Sequence, residues 1–363
     1  MTPLEAKLHQ RIKTGGEISF RDFMDAALYD EEFGYYTTKP DRIGRKGDYF
    51  TSSNVSRFFG ELIAKQIWLS WQELGTPQPF SILEFGAGTG RLANDVLTTL
   101  ETSYPEFFQF LTYVICDRSP VLRQAQHEML APFSGKVRWI DQIEPVPAAF
   151  VLANEFVDAL SFHRFRLRRG RIETCQVGVR DGKLVPVWTE LALPETVQSY
   201  LKQTGMPVYD GHEWEICFEA IDWLTAVASS LGCGAILIID YGDLSDHLSE
   251  ERHGTARCFF QHRVNTDFFS RIGDQDITAD VNFSALISAG QELGLQTRRL
   301  DRQGDFLISL GLLEKLEILC LDVSNTLDSL QERLALKHFL IPGGLGDHFK
   351  VLLQMKLPEK SCS

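Results

Sequence analysis

A buried apolar strand that runs into a glycine-rich turn constrains this chain more than any other feature. Residues 80–85 read Phe-Ser-Ile-Leu-Glu-Phe, the next five read Gly-Ala-Gly-Thr-Gly, and a helical pattern begins at Arg91. Glycines permit positive φ angles and let the backbone approach a ligand closely. A strand, a glycine turn and a helix in this order are typical of the first unit of a parallel α/β sheet that binds a ligand at its carboxyl edge.

Two acidic residues accompany this turn. Glu84 lies inside the end of the strand, where a carboxylate is costly unless it is matched, and Asp117 ends the next predicted strand, where an acid can accept both hydroxyls of a ribose. Dinucleotide sites usually have G-x-G-x-x-G, and Gly86, Gly88 and Gly90 are spaced differently. The pattern favours a ligand with no phosphate and a cationic amino-acid part, namely S-adenosyl-L-methionine (SAM). A dinucleotide site and a turn without a cofactor are the alternatives.

The hydrophobic pattern after this turn predicts the rest of the sheet. Strands are predicted at 111–117 and 150–154, with a helix at 120–129 between them. This alternation predicts an α/β fold with a mostly parallel, Rossmann-like sheet and helices on both faces. Residues 234–240 read as a fully buried strand, and 349–355 read as a closing edge strand.

The predicted chain has a helical N-terminal segment, one α/β domain and a short tail. The segment covers residues 1–75, the domain 76–355 and the tail 356–363. Within the domain, strands separated by tight turns predict an antiparallel meander insertion at about 161–190. A second long polar loop is predicted at about 241–280.

A lid over the ligand is predicted from the first long loop, residues 32–54. Its segment Gly-Asp-Tyr-Phe-Thr-Ser combines aromatic rings with the small hydroxyl side chains of Thr51 and Ser52. Such residues suit a lid that closes over a cofactor and excludes water. The alternative is that Thr51 or Ser52 only caps the helix that follows.

A second polar group follows the strand at 150–154, at the sheet edge where α/β ligands bind. Asn154 is a candidate for contact with the cofactor amine, and Glu155 and Asp158 are candidate anions for a cationic acceptor. A helix cap with solvated acids is the alternative. Asp240-Tyr241-Gly242 and residues 273–278 are further candidates for an acceptor pocket, although a chain turn explains the former equally well.

Composition excludes several classes of function. Forty-nine Asp and Glu against 36 Lys and Arg give a net charge of −13, which argues against a broad nucleic-acid surface. Seven dispersed cysteines form no C-x-x-C pair, so we predict no metal site. No apolar run approaches the ~20 residues of a membrane span, and the start lacks a secretory signal. We expect an intracellular protein.

Several motifs together resemble the MidA family of class I SAM-dependent methyltransferases. The resemblance covers about residues 5–355. Its mitochondrial members are complex I assembly factors that dimethylate an arginine of a core subunit. The motifs are FGYY (33–36), GDYFTS (47–52), FGELIA (59–64), EFGAGTG (84–90), DRSPVLRQAQ (117–126), ANEFVDAL (153–160), IIDYG (238–242), GTARCF (254–259) and GDQDITADVNF (273–283).

The resemblance implies a role for each matching residue. The residues implied to hold SAM are Glu84, Gly86, Gly88, Gly90, Asp117, Thr51, Ser52 and Asn154. The residues implied at the methyl-transfer centre are Asn154, Glu155 and Asp158. The sequence departs from the family pattern at Ser53, Asn54, Asp280 and Asn282, which bears on the acceptor more than on SAM binding.

The resulting expectation is a protein arginine methyltransferase whose partner is a respiratory NADH dehydrogenase subunit. It would be cytoplasmic in a bacterium or mitochondrial in a eukaryote. A SAM-binding assembly chaperone with weak or no catalysis is the second possibility, and a nicotinamide oxidoreductase is the third. Mutation of Glu155 to Gln is expected to spare SAM binding and abolish transfer.

Overall fold

The structure is a computed structural model that describes residues 1–38, 56–190, 195–321 and 327–358. The predicted lid residues Thr51 and Ser52, like Ser53 and Asn54, lie outside the described residues. The first elements are α1 (Pro3–Gly15), β1 (Ile18–Ser19), α2 (Phe20–Tyr29), α3 (Tyr35–Thr38) and α4 (Arg57–Glu73).

The predicted alternation of strands and helices follows α4. Its elements are β2 (Phe80–Phe85), α5 (Arg91–Ser103), α6 (Pro105–Phe110), β3 (Leu111–Cys116), α7 (Pro120–Met129), a 3₁₀ turn (Ala131–Phe133), β4 (Val137–Ile140) and β5 (Val146–Asn154). The insertion that comes next contains β6 (His163–Arg168), β7 (Arg171–Arg180), β8 (Lys183–Glu190), α8 (Glu195–Thr204) and β9 (Glu213–Ile216).

The rest of the chain returns to the central sheet. Its elements are α9 (Phe218–Ser230), β10 (Leu231–Asp243), α10 (Ser245–Leu248), β11 (Arg257–Phe260), β12 (Arg263–Asn265), β13 (Asp276–Thr278), β14 (Val281–Asn282), α11 (Phe283–Glu292), β15 (Gln296–Arg302), α12 (Gln303–Leu310), α13 (Leu312–Leu321), α14 (Leu327–His338), α15 (Leu345–His348) and β16 (Phe349–Lys356).

The central sheet has the strand order β15-β16-β10-β5-β2-β3-β4, with β14 pairing beside the end of β10. Strands β4, β3, β2, β5 and β10 pair in parallel, which confirms the predicted α/β fold. The chain runs outward from β2 to β4 and then returns to β5 on the other side. Ligands of open α/β sheets bind at such a switch point, outside the carboxyl ends of the strands.

The last strand corrects one prediction. β16 is not an edge strand, because it lies between β10 and β15 and is antiparallel to both. The sequence between 296 and 302 is largely polar, so its pattern did not reveal β15, which forms the actual edge.

Alternate side chains of the same strand face opposite layers of helices. In β10, Leu237 and Ile239 belong to the core cluster that contains α4 and α5, whereas Ile236 and Ile238 belong to the cluster that contains α9 and α11. Helices therefore cover both faces of the sheet, as predicted. α4 packs in this α/β core, although the predicted boundary at residue 75 places it in the N-terminal segment.

The predicted insertion is antiparallel but larger than the meander at 161–190. β6, β7 and β8 form the meander, and β1 and β9 extend it to five strands. α1 and α2 pack against this sheet through Leu4, Leu8, Phe20 and Phe23. The N-terminal helices are therefore fixed to the insertion.

The polar stretch at 241–280 is not a simple loop. It contains α10 and a small antiparallel sheet in the order β12-β11-β13. The strands have only three or four residues, too few for a readable period. Within the described ranges, no helix is long and apolar enough to cross a membrane.

Candidate functional site

A cavity of about 620 Å³ lies at the carboxyl edge of β2, β3 and β5. Its volume is within the range of ligand sites, about 300–1,000 Å³. Six of the predicted site residues line this one cavity: Glu84, Gly86, Gly88, Asp117, Asn154 and Glu155. The structure thus brings the glycine turn and the polar turn after β5 together.

The glycine turn is shaped by positive backbone φ angles. They are 64° at Gly86, 54° at Gly88 and 83° at Gly90, in the region that favours glycine. A Cβ atom at Gly86 would lie 2.9 Å from the ring of Phe156, whereas one at Gly88 would meet open space. Gly90 does not line the cavity. Because it has no Cβ, the start of α5 can lie close to Gln126 of α7.

Glu84 is a buried carboxyl group at the floor of the cavity. It is 2 % exposed, and the hydroxyl of Tyr113 donates a hydrogen bond of 2.9 Å to its Oε2 atom. Burial raises the pKa of Glu84 to about 7, and the charge of Asp117 adds to the rise while the Tyr113 bond opposes it. A cation bound nearby would favour the ionised form of Glu84.

Asp117 is held by a residue that sequence reasoning missed. The side-chain amide of Gln126 donates 2.8 Å bonds to Asp117 Oδ2 and to the Gly88 carbonyl. The other Asp117 oxygen accepts the N–H of Ser119 at 2.9 Å. Gln126 lies four residues after the buried Leu122, so the helix period was the available signal for a buried amide on this face.

The turn after β5 contains a non-glycine residue in the left-handed region. Glu155 has φ 52°, which is uncommon for a residue with a side chain and recurs at functional sites. The side-chain amide of Asn154 donates a bond of 3.3 Å to Glu155 Oε1. Asn154 Oδ1 is buried and has no hydrogen-bond partner within the described ranges. An ammonium group is a donor that would satisfy such an oxygen.

Asp158 does not line the large cavity. It is half-buried, and Thr278 Oγ1 donates to its Oδ2 atom at 3.2 Å. Burial raises the pKa of Asp158. It instead lines a second cavity of about 40 Å³, so the structure does not place Asp158 and Glu155 as a pair that faces one space.

The other predicted acceptor residues also lie outside the large cavity. Asp276 accepts the hydroxyl of Tyr36 at 2.9 Å, and Asp280 pairs with Arg257 at 2.6 Å. Asn282 caps α11 by accepting the N–H of Ala285 at 3.2 Å. The motif at 273–283 therefore fixes neighbouring elements and does not form the wall of the large cavity.

The N-terminal helices supply a wall that the sequence analysis did not assign. Tyr29 and Tyr36 line the cavity with stacked rings 5.5 Å apart. The Tyr29 hydroxyl donates to the Ala159 carbonyl at 2.7 Å, and the Arg118 guanidinium lies 3.2 Å from the centre of the Tyr29 ring. Ser119 donates to the Tyr36 carbonyl at 2.8 Å. These contacts join α2 and α3 to the loop that carries Asp117.

Two further groups complete the wall. Asp141, Gln142 and Ile143 follow β4, and Glu219 and Trp223 come from α9. Glu219 already binds the guanidinium of an N-terminal arginine, Arg21, whose Nε donates at 2.7 Å. Short loops and helix faces of this kind carry no motif from which these residues could be predicted.

The residues present fit SAM. The space above Gly88 admits a ligand against the backbone, and Asp117 can accept ribose hydroxyls. Glu84 and Asn154 provide acceptors for a cationic amino-acid group. No group of three or more His, Cys, Asp or Glu residues in the described part of the chain could hold a metal ion.

Comparisons with known proteins agree with this fit. Residues 62–300 match a family described as "Putative S-adenosyl-L-methionine-dependent methyltransferase". The chain is 31% identical over 310 residues to the mitochondrial protein arginine methyltransferase NDUFAF7 homolog of Drosophila melanogaster, covering 77% of this chain and 68% of that protein. It is 27% identical over 379 residues to human mitochondrial protein arginine methyltransferase NDUFAF7, covering 96% and 82%.

A solved structure shows the same fold with a ligand. The crystal structure of a Burkholderia thailandensis protein bound to S-adenosyl-homocysteine superposes with a TM-score of 0.88 at 28% identity, covering 98% of this chain and 92% of that one. The family match spans the glycine turn, Asp117 and the turn after β5. The chain therefore belongs to the SAM-dependent methyltransferases of the MidA family that its motifs resemble, and SAM is its cofactor.

Proposed function

We propose that this protein methylates an arginine side chain of a partner protein. The fly and human relatives are both protein arginine methyltransferases, which supports arginine as the acceptor residue. The observation that carries the proposal is the position of Glu155, whose carboxylate belongs to the same cavity wall as the glycine turn.

The charge of the acceptor determines what the site must do. A guanidinium is protonated at neutral pH and has no free lone pair on its nitrogens. A carboxylate that accepts hydrogen bonds from one edge of the guanidinium fixes its plane and concentrates the positive charge on that edge. Bound SAM supplies a methyl group on a sulfonium centre, which a nitrogen can attack in line.

In this proposal, Glu155 binds one edge of the guanidinium, and the nitrogen on the opposite edge attacks the methyl group and then releases its proton to solvent. Glu219 is less suited to this role, because its carboxylate already binds Arg21 and the N–H of Ser161. The wall formed by Tyr29 and Tyr36 excludes water from the methyl group. Asp158 acts only through the turn, since it faces the smaller cavity.

The acceptor in this proposal is a subunit of a respiratory NADH dehydrogenase, as the family resemblance implies. In a bacterium, the corresponding complex is NADH-quinone oxidoreductase and the reaction takes place in the cytoplasm. In a eukaryote it takes place in mitochondria, where the curated relatives are found.

Label transfer tests the proposal. The purified protein is incubated with methyl-labelled SAM and an extract that contains the respiratory complex, and the labelled protein and residue are identified by mass spectrometry. We expect label on an arginine of one subunit, and none when excess S-adenosyl-homocysteine is added. Label on another residue type refutes the arginine acceptor. SAM binding by calorimetry without any transfer favours the assembly chaperone.

A further inference from the structure

Asp240 is a carboxylate at the end of β10 that the reaction described above does not use. Its side chain is completely buried and does not line either cavity. An isolated ionised carboxylate in such a place is very costly, so its hydrogen bonds indicate what it does.

Three of these bonds come from consecutive residues of the turn after β5. The backbone N–H groups of Phe156, Val157 and Asp158 donate to the Oδ2 atom of Asp240 at 3.2, 2.8 and 3.2 Å. The other oxygen accepts the N–H of Tyr241 at 3.0 Å. Successive N–H groups that converge on one point form an anion-binding concavity, and here the anion belongs to the protein itself.

The same strand end also holds the residue that precedes these three. The N–H of Glu155 donates to the carbonyl of Ile239 at 2.8 Å. Four successive N–H groups of the turn are thus bound by two adjacent residues of β10. This bonding opposes the cost of the left-handed backbone at Glu155, where φ is 52°.

We propose that Asp240 is a positioning residue for methyl transfer: its carboxylate fixes the turn and thereby the direction of the Glu155 side chain. This inference rests on the proposed function, in which Glu155 contacts the acceptor. Asp240 itself touches neither cofactor nor acceptor. An isosteric amide in its place keeps one acceptor oxygen and the packing, but its N–H₂ group accepts no hydrogen bond, and its neutral oxygen binds the three N–H groups of the turn more weakly than a carboxylate does.

The test compares Asp240→Asn with the parent and with Glu215→Gln. Glu215 is a matched control, because its side chain is 8 % exposed and accepts the backbone N–H of Thr255 at 2.9 Å, outside the turn after β5. Four quantities are measured: the Kd for SAM by calorimetry, kcat and KM for the acceptor by label transfer, and amide hydrogen exchange of a peptide that spans 154–160.

We expect Asp240→Asn to lower kcat by about 100-fold, the size of effect that a displacement of about 1 Å produces. The Kd for SAM should stay within about threefold, because the glycine turn and Asp117 are unchanged. The amides of residues 156–158 should exchange about tenfold faster, as weakened hydrogen bonds allow. Glu215→Gln should leave kcat and this exchange at parent values.

Other results overturn the inference. A folded variant with parent kcat, with unchanged exchange, or with a loss of SAM affinity equal to its loss of kcat shows that Asp240 does not act through the turn. If Asp240→Asn does not fold, Asp240→Ser is measured instead, since its hydroxyl and a water can occupy the vacated space.

Failure of the proposed function has a different signature. If the parent methylates a residue other than arginine, the proposed acceptor is wrong, and the comparison of kcat on the actual acceptor still decides the role of Asp240. If the parent transfers no methyl group to any protein, the proposed function is refuted, and the inference about transfer is refuted with it. Faster exchange would then assign Asp240 a structural role only.

Discussion

The glycine turn and the turn after β5 lie at the same sheet edge, but their shapes have different origins. Gly86 and Gly88 adopt positive φ angles because glycine has no Cβ, so the first turn is determined by its own residues. In the second turn, Glu155 has a similar φ in spite of its side chain, and its neighbours are bound by Asp240, 82 to 84 residues later. One turn is locally encoded, and the other depends on the folded sheet.

This difference predicts that the two turns have different effects on cofactor binding and on methyl transfer. Changes in the glycine turn should act mainly on cofactor affinity, and changes in the second turn mainly on kcat. The predictions that follow test this separation, from the largest expected effect to the smallest.

Glu155→Gln should give the largest effect. The amide cannot localise the charge of a guanidinium, so we expect kcat to fall by about 10³-fold while the Kd for SAM stays within threefold. Calorimetry and label transfer measure the two quantities. Glu144→Gln is the control, because Glu144 pairs with Arg138 outside the cavity. Parent activity in Glu155→Gln would remove Glu155 from the catalytic role.

Glu84→Gln should change the pH dependence of stability. The pKa of Glu84 is about 7 in the folded protein against 4.5 for an ordinary Glu. The folded state therefore binds more protons than the unfolded state between these values, and the parent loses stability as pH rises through this window. The cost reaches about 3 kcal/mol above pH 7. Glutamine keeps an acceptor for Tyr113 without the charge.

Urea unfolding at pH 5 and pH 8 checks this prediction. The free energy of unfolding of Glu84→Gln, relative to the parent, should increase from pH 5 to pH 8, although the variant binds SAM more weakly. Glu101→Gln on the surface of α5 is the control and should show no such increase. An equal difference at both pH values would contradict the assigned burial of Glu84.

Gly86→Ala should affect both regions, because a Cβ there would lie 2.9 Å from the ring of Phe156. The left-handed backbone costs a residue with a side chain about 1–2 kcal/mol. We expect a roughly tenfold higher Kd for SAM together with a lower kcat. Gly135→Ala is the control, since a Cβ at Gly135 meets nothing within 4 Å. A change in Kd alone would show that the two turns are independent.

Asn282→Asp should have the smallest effect. Asn282 is one of the departures from the family pattern and caps α11, and Asn and Asp cap helices about equally well. We expect less than about 0.5 kcal/mol in the free energy of unfolding and less than a twofold change in transfer. A tenfold rise in transfer would instead show that this departure limits turnover.

The sequence predicted what depends on neighbours along the chain. β2 and α7 begin and end at the predicted residues, and Gly86, Gly88 and Asp117 line the large cavity. Long-range partners had no local signal. Gln126 reads as one polar residue in a helix, and β16 reads as an edge strand until its partner β15 is known.

The pairing of Glu155 with Asp158 shows the same limit. Three residues separate them in the sequence, and both are acids at the sheet edge. They line different cavities in the structure, and Asp158 is bound there by Asp240 and Thr278, which come much later in the sequence. The predicted roles of Thr51 and Ser52 remain predictions.

The contacts of the N-terminal tyrosines have a consequence for biosynthesis. Tyr29 and Tyr36 leave the ribosome early. The residues that accept hydrogen bonds from their hydroxyl groups are Ala159 and Asp276, 130 and 240 residues downstream. The two tyrosines of a nascent chain therefore lack these hydrogen-bond acceptors until the later residues have been synthesised. Asp276 belongs to β13, so the contacts of the tyrosine wall are complete only after the small sheet of β11–β13 has been synthesised.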